Sequence, residues 1–244
     1  MKGYLYKEFK QNRLFLFLSV ALALCVAFLP IIIVMTVEKT IAKEALIAFA
    51  QDGTAIRIIC ALVGVMGMLL LETFTLKGDD KKLWAYFVVS NPKGKADFIF
   101  TKYAFIVAMN VVYFAVCSLS DLMFTLVVNS IGGISIPFMA WVYLQLLFLQ
   151  LLLCALEIPF TIRFGDKKGS SIMSIFSIAM VWIFILLFFL NPVNVADIMN
   201  DFLSSGEIPP YVAWILPVAA VIGLLLSAFI STRLYMKGVE QYYK

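Results

Sequence analysis

The sequence predicts an all-α, polytopic membrane protein: six transmembrane helices preceded by a short amphipathic helix at the membrane interface. Three observations predict it. Of the 244 residues, 63% are hydrophobic and 14% charged, against about a half and a quarter in soluble domains. The apolar residues fall in six continuous runs, each near the roughly 20 residues a helix needs to cross a bilayer core. The basic residues lie almost wholly on one side of those runs. In lipid every backbone polar group must pair internally, and continuous rather than alternating runs make helices, not barrel strands. One membrane domain, 1–244, is expected.

Residues 1–13 set Lys2, Lys7, Lys10 and Arg13 against Tyr4, Leu5 and Phe9, the pattern of a helix lying in the interface. The first span, 14–37, is longer than a signal-peptide core, and no convincing cleavage site follows it, so it is expected to stay uncleaved. The second span is 58–74, and 77–102 is the longest loop on the same side as the N-terminus. The remaining spans are 103–128, 136–156, 172–190 and 211–230, with a short turn at 163–169. On the opposite side, 39–53 and 191–210 are expected as short surface or re-entrant helices, the latter bracketed by Asn191-Pro192 and Pro209-Pro210.

Placing the N-terminus in the cytoplasm puts 16 of the 19 basic residues there, leaving Lys39, Lys43 and Arg57 outside. The outer segments also carry Glu38, Glu44, Asp52, Asp197, Asp201 and Glu207. This asymmetry orients the chain as a multi-pass membrane protein with both termini cytoplasmic. The excess of positive charge then reflects topology and anionic lipid, not nucleic acid.

Several chemistries are excluded. Histidine is absent, which removes His-ligated metal sites, Ser-His-Asp triads and His proton relays. Cys25, Cys60, Cys117 and Cys154 each sit inside an apolar stretch with no close pair, so they read as small core residues. No metal site is expected. No G-x-x-x-x-G-K-[ST] occurs, so the chain itself binds no ATP through a P-loop. No catalytic dyad stands out either.

Polar residues within the spans are few. Glu72, Asp121 and Glu157 each lie near a span end, where a structural or boundary role is expected in preference to ion coupling. Asn110, Gln145 and Gln150 lie deepest. They either line a substrate path or bond between helices.

The most informative loop runs Asp79-Asp80-Lys81-Lys82-Leu83-Trp84-Ala85-Tyr86, continues to Ser90-Asn91-Pro92-Lys93-Gly94-Lys95, and ends at Lys102-Tyr103. A solvated loop with an interfacial aromatic is one reading of it, and a docking helix for a cytoplasmic partner is the other. With the Lys-rich start Leu5-Tyr6-Lys7-Glu8-Phe9-Lys10, and with Pro159, Arg163, Phe164, Gly165, Lys168 and Gly169 after the fourth span, the layout resembles the type-2 permease subunits of bacterial ATP-binding-cassette exporters. In that family Asp80, Lys82, Trp84, Tyr86, Ser90, Pro92, Lys95, Lys102 and Tyr103 match a recurrent pattern. Asn91 stands where leucine is usual.

The resemblance implies that the loop with Asp79 to Lys95 and the turn with Arg163 to Gly169 form coupling helices seated on two P-loop ATPase subunits. It implies a second permease subunit, identical or paralogous, with ATP and magnesium held by the ATPases and no cofactor on this chain. The expected cargo is amphipathic, such as a peptide toxin or antimicrobial peptide. The rivals are a secondary transporter or substrate-binding membrane subunit that does not depend on the 77–102 loop, and a membrane anchor or immunity protein that sequesters peptides. An enzyme is the least supported reading.

Overall fold

The computed structural model describes residues 2–38, 61, 63–76, 88, 90, 94–132, 138–164 and 210–240, nearly all of them helical. They form α1 (Lys2–Glu38), α2 (Val63–Leu76), α3 (Gly94–Gly132), α4 (Ala140–Phe164) and α5 (Pro210–Glu240). Four of these contain stretches long and apolar enough to cross a membrane: Gly3–Val26, Ala96–Leu126, Ala140–Phe164 and Trp214–Tyr235. α2 is a shorter apolar helix falling on the expected span 58–74. The expected span 172–190 lies outside the described residues, as do the outer segments 39–53 and 191–209.

Three expectations are corrected. Residues 1–13 are not a helix of their own, because α1 runs unbroken from Lys2 to Glu38. Nothing between Lys10 and Leu14 stops a helix, and one stripe of this segment, Tyr4, Glu8 and Asn12, is turned into the protein while Lys10, Gln11 and Arg13 stay exposed. The loop 77–102 is also shorter than expected, since α3 begins at Gly94 and places Asp97 in its first turn, where an acid favours the helix dipole. Arg163 and Phe164, expected in a turn, form the last turn of α4.

Side-chain pairings give the helix directions. Tyr4 meets Phe98 and Glu8 meets Lys102, the same offset of 94 residues, so α1 and α3 run parallel. Phe15 stacks on Phe74, while Leu22 and Val26 approach Gly67 and Gly64, so α2 runs back against α1. Asp121 meets Met139 and Asn110 lies beside Cys154, so α4 is antiparallel to α3. Tyr103 bonds Ser227 and Ser231, and Phe98 packs on Tyr235, so α5 is antiparallel to α3 as well. α4 and α5 are therefore parallel to each other. The first and last described helices begin and finish on one side of the bundle, the side of the 77–93 loop.

The distribution of side chains is that of a lipid-solvated protein. Leu5, Phe9, Leu14 and Phe17 of α1 and Trp214, Leu225 and Phe229 of α5 are exposed, while Glu8, Asn12, Glu72, Lys102, Asn110 and Gln150 are buried. Soluble proteins bury charged residues only rarely and leave apolar surface in scattered pieces. Here buried polar side chains join the helices to one another, and much of the outward-facing surface is apolar. The chain is a multi-pass membrane protein.

Two apolar clusters fill the interior. One, far from the 77–93 loop, gathers Ala61, Val65, Met68, Met109, Tyr113, Phe114, Val142 and Leu146. The other lies at the loop-proximal end and includes Tyr4, Leu76, Val88, Phe98, Tyr103, Ile158 and Ala228.

Candidate functional site

The loop-proximal end is where chemistry-bearing side chains converge, and α3 is its axis. Lys102, two turns into α3 and just before the expected third span, donates from Nζ to Glu8 Oε2 at 3.2 Å and to the Thr75 carbonyl at 3.1 Å. Asn12, one turn on from Glu8, donates to the same carboxylate at 2.8 Å, and Lys7 reaches its other oxygen at 3.0 Å. Glu8, Asn12 and Lys102 are all buried. A buried ion pair persists when further hydrogen bonds satisfy it, which Asn12 and the Thr75 carbonyl supply.

The position of this pair matters more than its strength. Thr75 is the second-last residue of α2, and Lys102 follows the loop by two turns of α3. One lysine therefore ties both roots of the 77–93 loop to the first helix. Phe98 adds a second tie: its ring packs edge-on to Tyr4 at 6.1 Å, lies 5.6 Å from the Tyr235 ring, and carries Lys7 Nζ over its face at 5.4 Å. Within the 77–93 segment the helical Val88 is buried against the bundle end. α1, α3 and α5 thus all grip the base of the loop.

Deeper in, Glu72 of α2 is the centre of a second polar group. Asn110 of α3 donates to Oε1, Gln150 of α4 donates to Oε2 at 3.2 Å, and the Cys154 thiol donates to Oε2 at 2.7 Å. Glu157, on α4 just beyond Cys154, accepts a bond from Thr73 at 2.7 Å. On the other side of α3, the Tyr103 hydroxyl lies 2.5 Å from Ser227 and 2.9 Å from Ser231, and Ser227 donates on to the Ala155 carbonyl. At the far end the buried acid among the described residues is Asp121. It accepts from the Met139 backbone N–H at 3.2 Å, just before α4 starts. An acid at a helix N-terminus is favourably placed against the helix dipole.

Of the residues singled out from sequence, Asn110 and Gln150 come together around Glu72, and Gln145 is buried one and a half turns away on α4. Ser90 is helical and exposed, and Lys95 lies in the first turn of α3. Asp79, Asp80, Lys82, Trp84, Tyr86 and Pro92 lie outside the described residues, as do Gly165, Lys168 and Gly169. Arg163 is half-buried at the end of α4, and Phe164 is exposed there, its ring 6.4 Å from that of Phe160. Among the described residues no group of acids and cysteines has the makings of a metal site.

Sequence reasoning missed Glu8, Asn12 and Thr75. Tyr4, Glu8, Asn12 and Ser19 recur at near-helical spacing, so the stripe was visible. Its direction, inward rather than toward water, was not.

Residues 44–236 match the model of a family described as ABC-2 family transporter protein. The chain belongs to that family. The match spans α2 to most of α5, so both polar groups around α3 lie within it apart from the α1 partners Glu8 and Asn12. No curated protein and no solved structure matched. ABC-2 permeases are membrane components that work with separate ABC ATPase subunits. The loop-proximal end of this permease, where three helices hold the base of one loop, is accordingly its candidate functional site.

Proposed function

We propose that this chain is the transmembrane subunit of an ABC exporter, with six spans and both ends in the cytoplasm. It works beside a second permease copy or paralogue and couples ATP hydrolysis by two P-loop ATPase subunits to export of an amphipathic substrate such as a peptide. The observation that carries this reading is the double tie made by Lys102. A loop that receives force from an ATPase must pass it to helices rather than flex, and Lys102 joins the loop's two roots to α1 in a single contact. The parallel run of α4 and α5 supports a sixth span, because the chain must return from the loop side to the far side between 165 and 209.

In this reading Asp79, Asp80, Lys82, Trp84, Tyr86, Ser90, Pro92 and Lys95 form the coupling segment, and Arg163, Phe164, Gly165, Lys168 and Gly169 form the second contact. Nucleotide binding in the partner biases one of two arrangements of the bundle. Asn110, Gln145 and Gln150 join a substrate route only when the helices around them part.

The test is the ATPase activity of the complex purified with its candidate ATPase, wild type against the Trp84→Ala, Tyr86→Ala double variant. The variant is expected to lose assembly or activity. Wild-type behaviour, or recovery of no ATPase at all, would turn the reading toward a self-contained transporter that does not need the 77–102 loop.

A further inference from the structure

Glu72 is placed at a cost that its packing role does not explain. It is 1% exposed, inside a helix of a membrane protein, and every donor that reaches it from the described residues is neutral: two side-chain amides and a thiol. A glutamine at this position would join α2 to α3 and α4 without bringing an ionisable group into a low-dielectric interior. An ionisable side chain retained in such a place points to a function that needs ionisation. The nearby lysine does not supply a countercharge, because Lys102 is committed to Glu8 and the Thr75 carbonyl.

The amides supply the second observation. Asn110 and Gln150 are both 0% exposed and turn their NH2 groups to Glu72, yet Asn110 Oδ1 and Gln150 Oε1 have no hydrogen-bond partner among the described residues. A buried carbonyl oxygen without a donor is unfavourable by about 1–3 kcal/mol in proteins generally. Each amide therefore brings a satisfied donor and an unused acceptor to the same carboxyl. Half a turn about the last side-chain bond of Gln150 exchanges them, whereas the Asn110 NH2 is also held by the Ile106 carbonyl at 3.0 Å and stays inward. With the NH2 groups inward the cluster suits a carboxylate. With one C=O inward it suits a carboxylic acid, whose O–H then has an acceptor.

We propose that Glu72, Asn110, Gln150 and Cys154 form a proton-exchange site inside the bundle, at which the Glu72 carboxyl takes up and releases one proton as an amide turns. The proton adds to a carboxylate oxygen and leaves from the same carboxyl, with no other bond made or broken. Among the described residues the further carboxyl that bears on Glu72 is Glu157, also buried, about 4.5 Å beyond Cys154 along α4 toward the loop side and bonded to Thr73. It gives the proton a second stop on the way to water. On α1, Glu8 is held in its own pair with Lys102, and on α3 Tyr103 is bonded to Ser227 and Ser231 on α5, so these groups stand apart from the exchange. The site does not depend on the identity of a cargo or of an ATPase, so it is tested on this chain by itself.

The experiment uses the full chain in lipid nanodiscs and dicyclohexylcarbodiimide, which modifies carboxyls that are protonated in apolar surroundings. Peptide mass spectrometry then locates the adduct across a pH series. The expected result is modification of Glu72 that falls about tenfold per pH unit on the alkaline limb, as a single titrating carboxyl requires. Absence of the adduct from Glu72 at every pH, or a yield independent of pH, overturns the proposal. An infrared difference spectrum between acidic and alkaline buffer gives an independent reading. A carboxylic C=O band present in wild type and lost in Glu72→Gln supports the site, and a band unchanged by that substitution overturns it. The labelling arm uses wild-type protein and so stands even where Glu72→Gln fails to fold.

Discussion

At the loop-proximal end α1 and α3 meet through Glu8 and Lys102, and at the far end the same bundle closes through Ala23, Val65, Met68, Met109 and Tyr113. The first kind of contact is directional. A lysine bonded to a carboxylate and a backbone carbonyl fixes both the rotation of each helix and its position along the axis. The second kind is not. Apolar side chains in a membrane gain little from leaving lipid, and they hold helices only by close fit. A transporter needs both properties. Under the proposed coupling, the end that takes up force from an ATPase must transmit it without slipping, whereas an end that opens and closes must repack without leaving polar groups unpaired. The comparison makes a testable claim: substitutions near the loop should act through lost polar partners, and substitutions at the far end through lost fit.

The largest effect is expected from Lys102→Met. It leaves Glu8 buried with its strongest partner gone, and breaking a buried pair in this way costs about 3–5 kcal/mol. Lys7 still reaches Glu8 at 3.0 Å and is itself partly exposed, so the low end of that range, about 3 kcal/mol, is expected. Thermal unfolding of the purified protein measures it. The decisive comparison is the Glu8→Gln, Lys102→Met double variant, which removes both charges and should recover most of the loss. If the double variant is as unstable as the sum of the two single ones, the pair holds nothing together and the loop-proximal end is not built on it.

At the far end the matching test is Gly64→Ala. A methyl group there runs into the Tyr113 hydroxyl, and it also approaches Val26 of α1 at 3.4 Å. Tyr113 is fully buried, so its ring has little room to give. Overpacking of this kind costs about 1–3 kcal/mol. Because the obstacle is one oxygen, Tyr113→Phe should restore most of the stability of Gly64→Ala. A fit-based contact predicts such rescue by a single smaller neighbour, and a polar contact does not.

How much of this was legible in the sequence follows the same division. The apolar runs gave the positions of α1, α3, α4 and α5, because a stretch long enough to span has few other options. The 77–102 segment stood out because charges and aromatics alternate there between two apolar runs. What could not be read was which way a polar stripe faces. Tyr4, Leu5 and Phe9 with nearby lysines look like an interfacial helix whatever surrounds them. Lys102 on α3 meets Glu8, which Asn12 also reaches, on the inward stripe of a continuous α1, and the sequence of α1 alone does not show that partner. The enclosure of Glu72 was not legible for a related reason. Its place near a span end suggested a boundary residue, but the end of α2 is enclosed by α3 and α4. Depth along one helix does not report enclosure by its neighbours.

A smaller effect is expected where polar contacts are redundant. Tyr103→Phe removes the hydroxyl that joins Ser227 and Ser231 to α3, while Ser227 keeps its bond to the Ala155 carbonyl. Interhelical hydrogen bonds in membranes average about 0.6 kcal/mol and rarely exceed about 1.7. With one serine still paired, a loss near the average is expected in thermal unfolding. A loss as large as that of Lys102→Met would mean that α5 is held by this contact alone.

The smallest effect, Gly67→Ala, separates close approach from close fit. Gly67 lies one turn from Gly64 on the same face of α2, and a methyl group added there meets Leu22 Cδ2 at 2.7 Å. The approach is as tight on paper as many that destabilise, but the atom met is the tip of a flexible, half-buried side chain rather than a locked ring. Leu22 can change rotamer. Alanine also favours a helix over glycine by up to about 1 kcal/mol. The two terms nearly cancel, and unfolding within about 0.5 kcal/mol of wild type is expected. If Gly67→Ala proves as damaging as Gly64→Ala, Leu22 is as fixed as Tyr113, and the far end is a rigid seam rather than a surface that can repack.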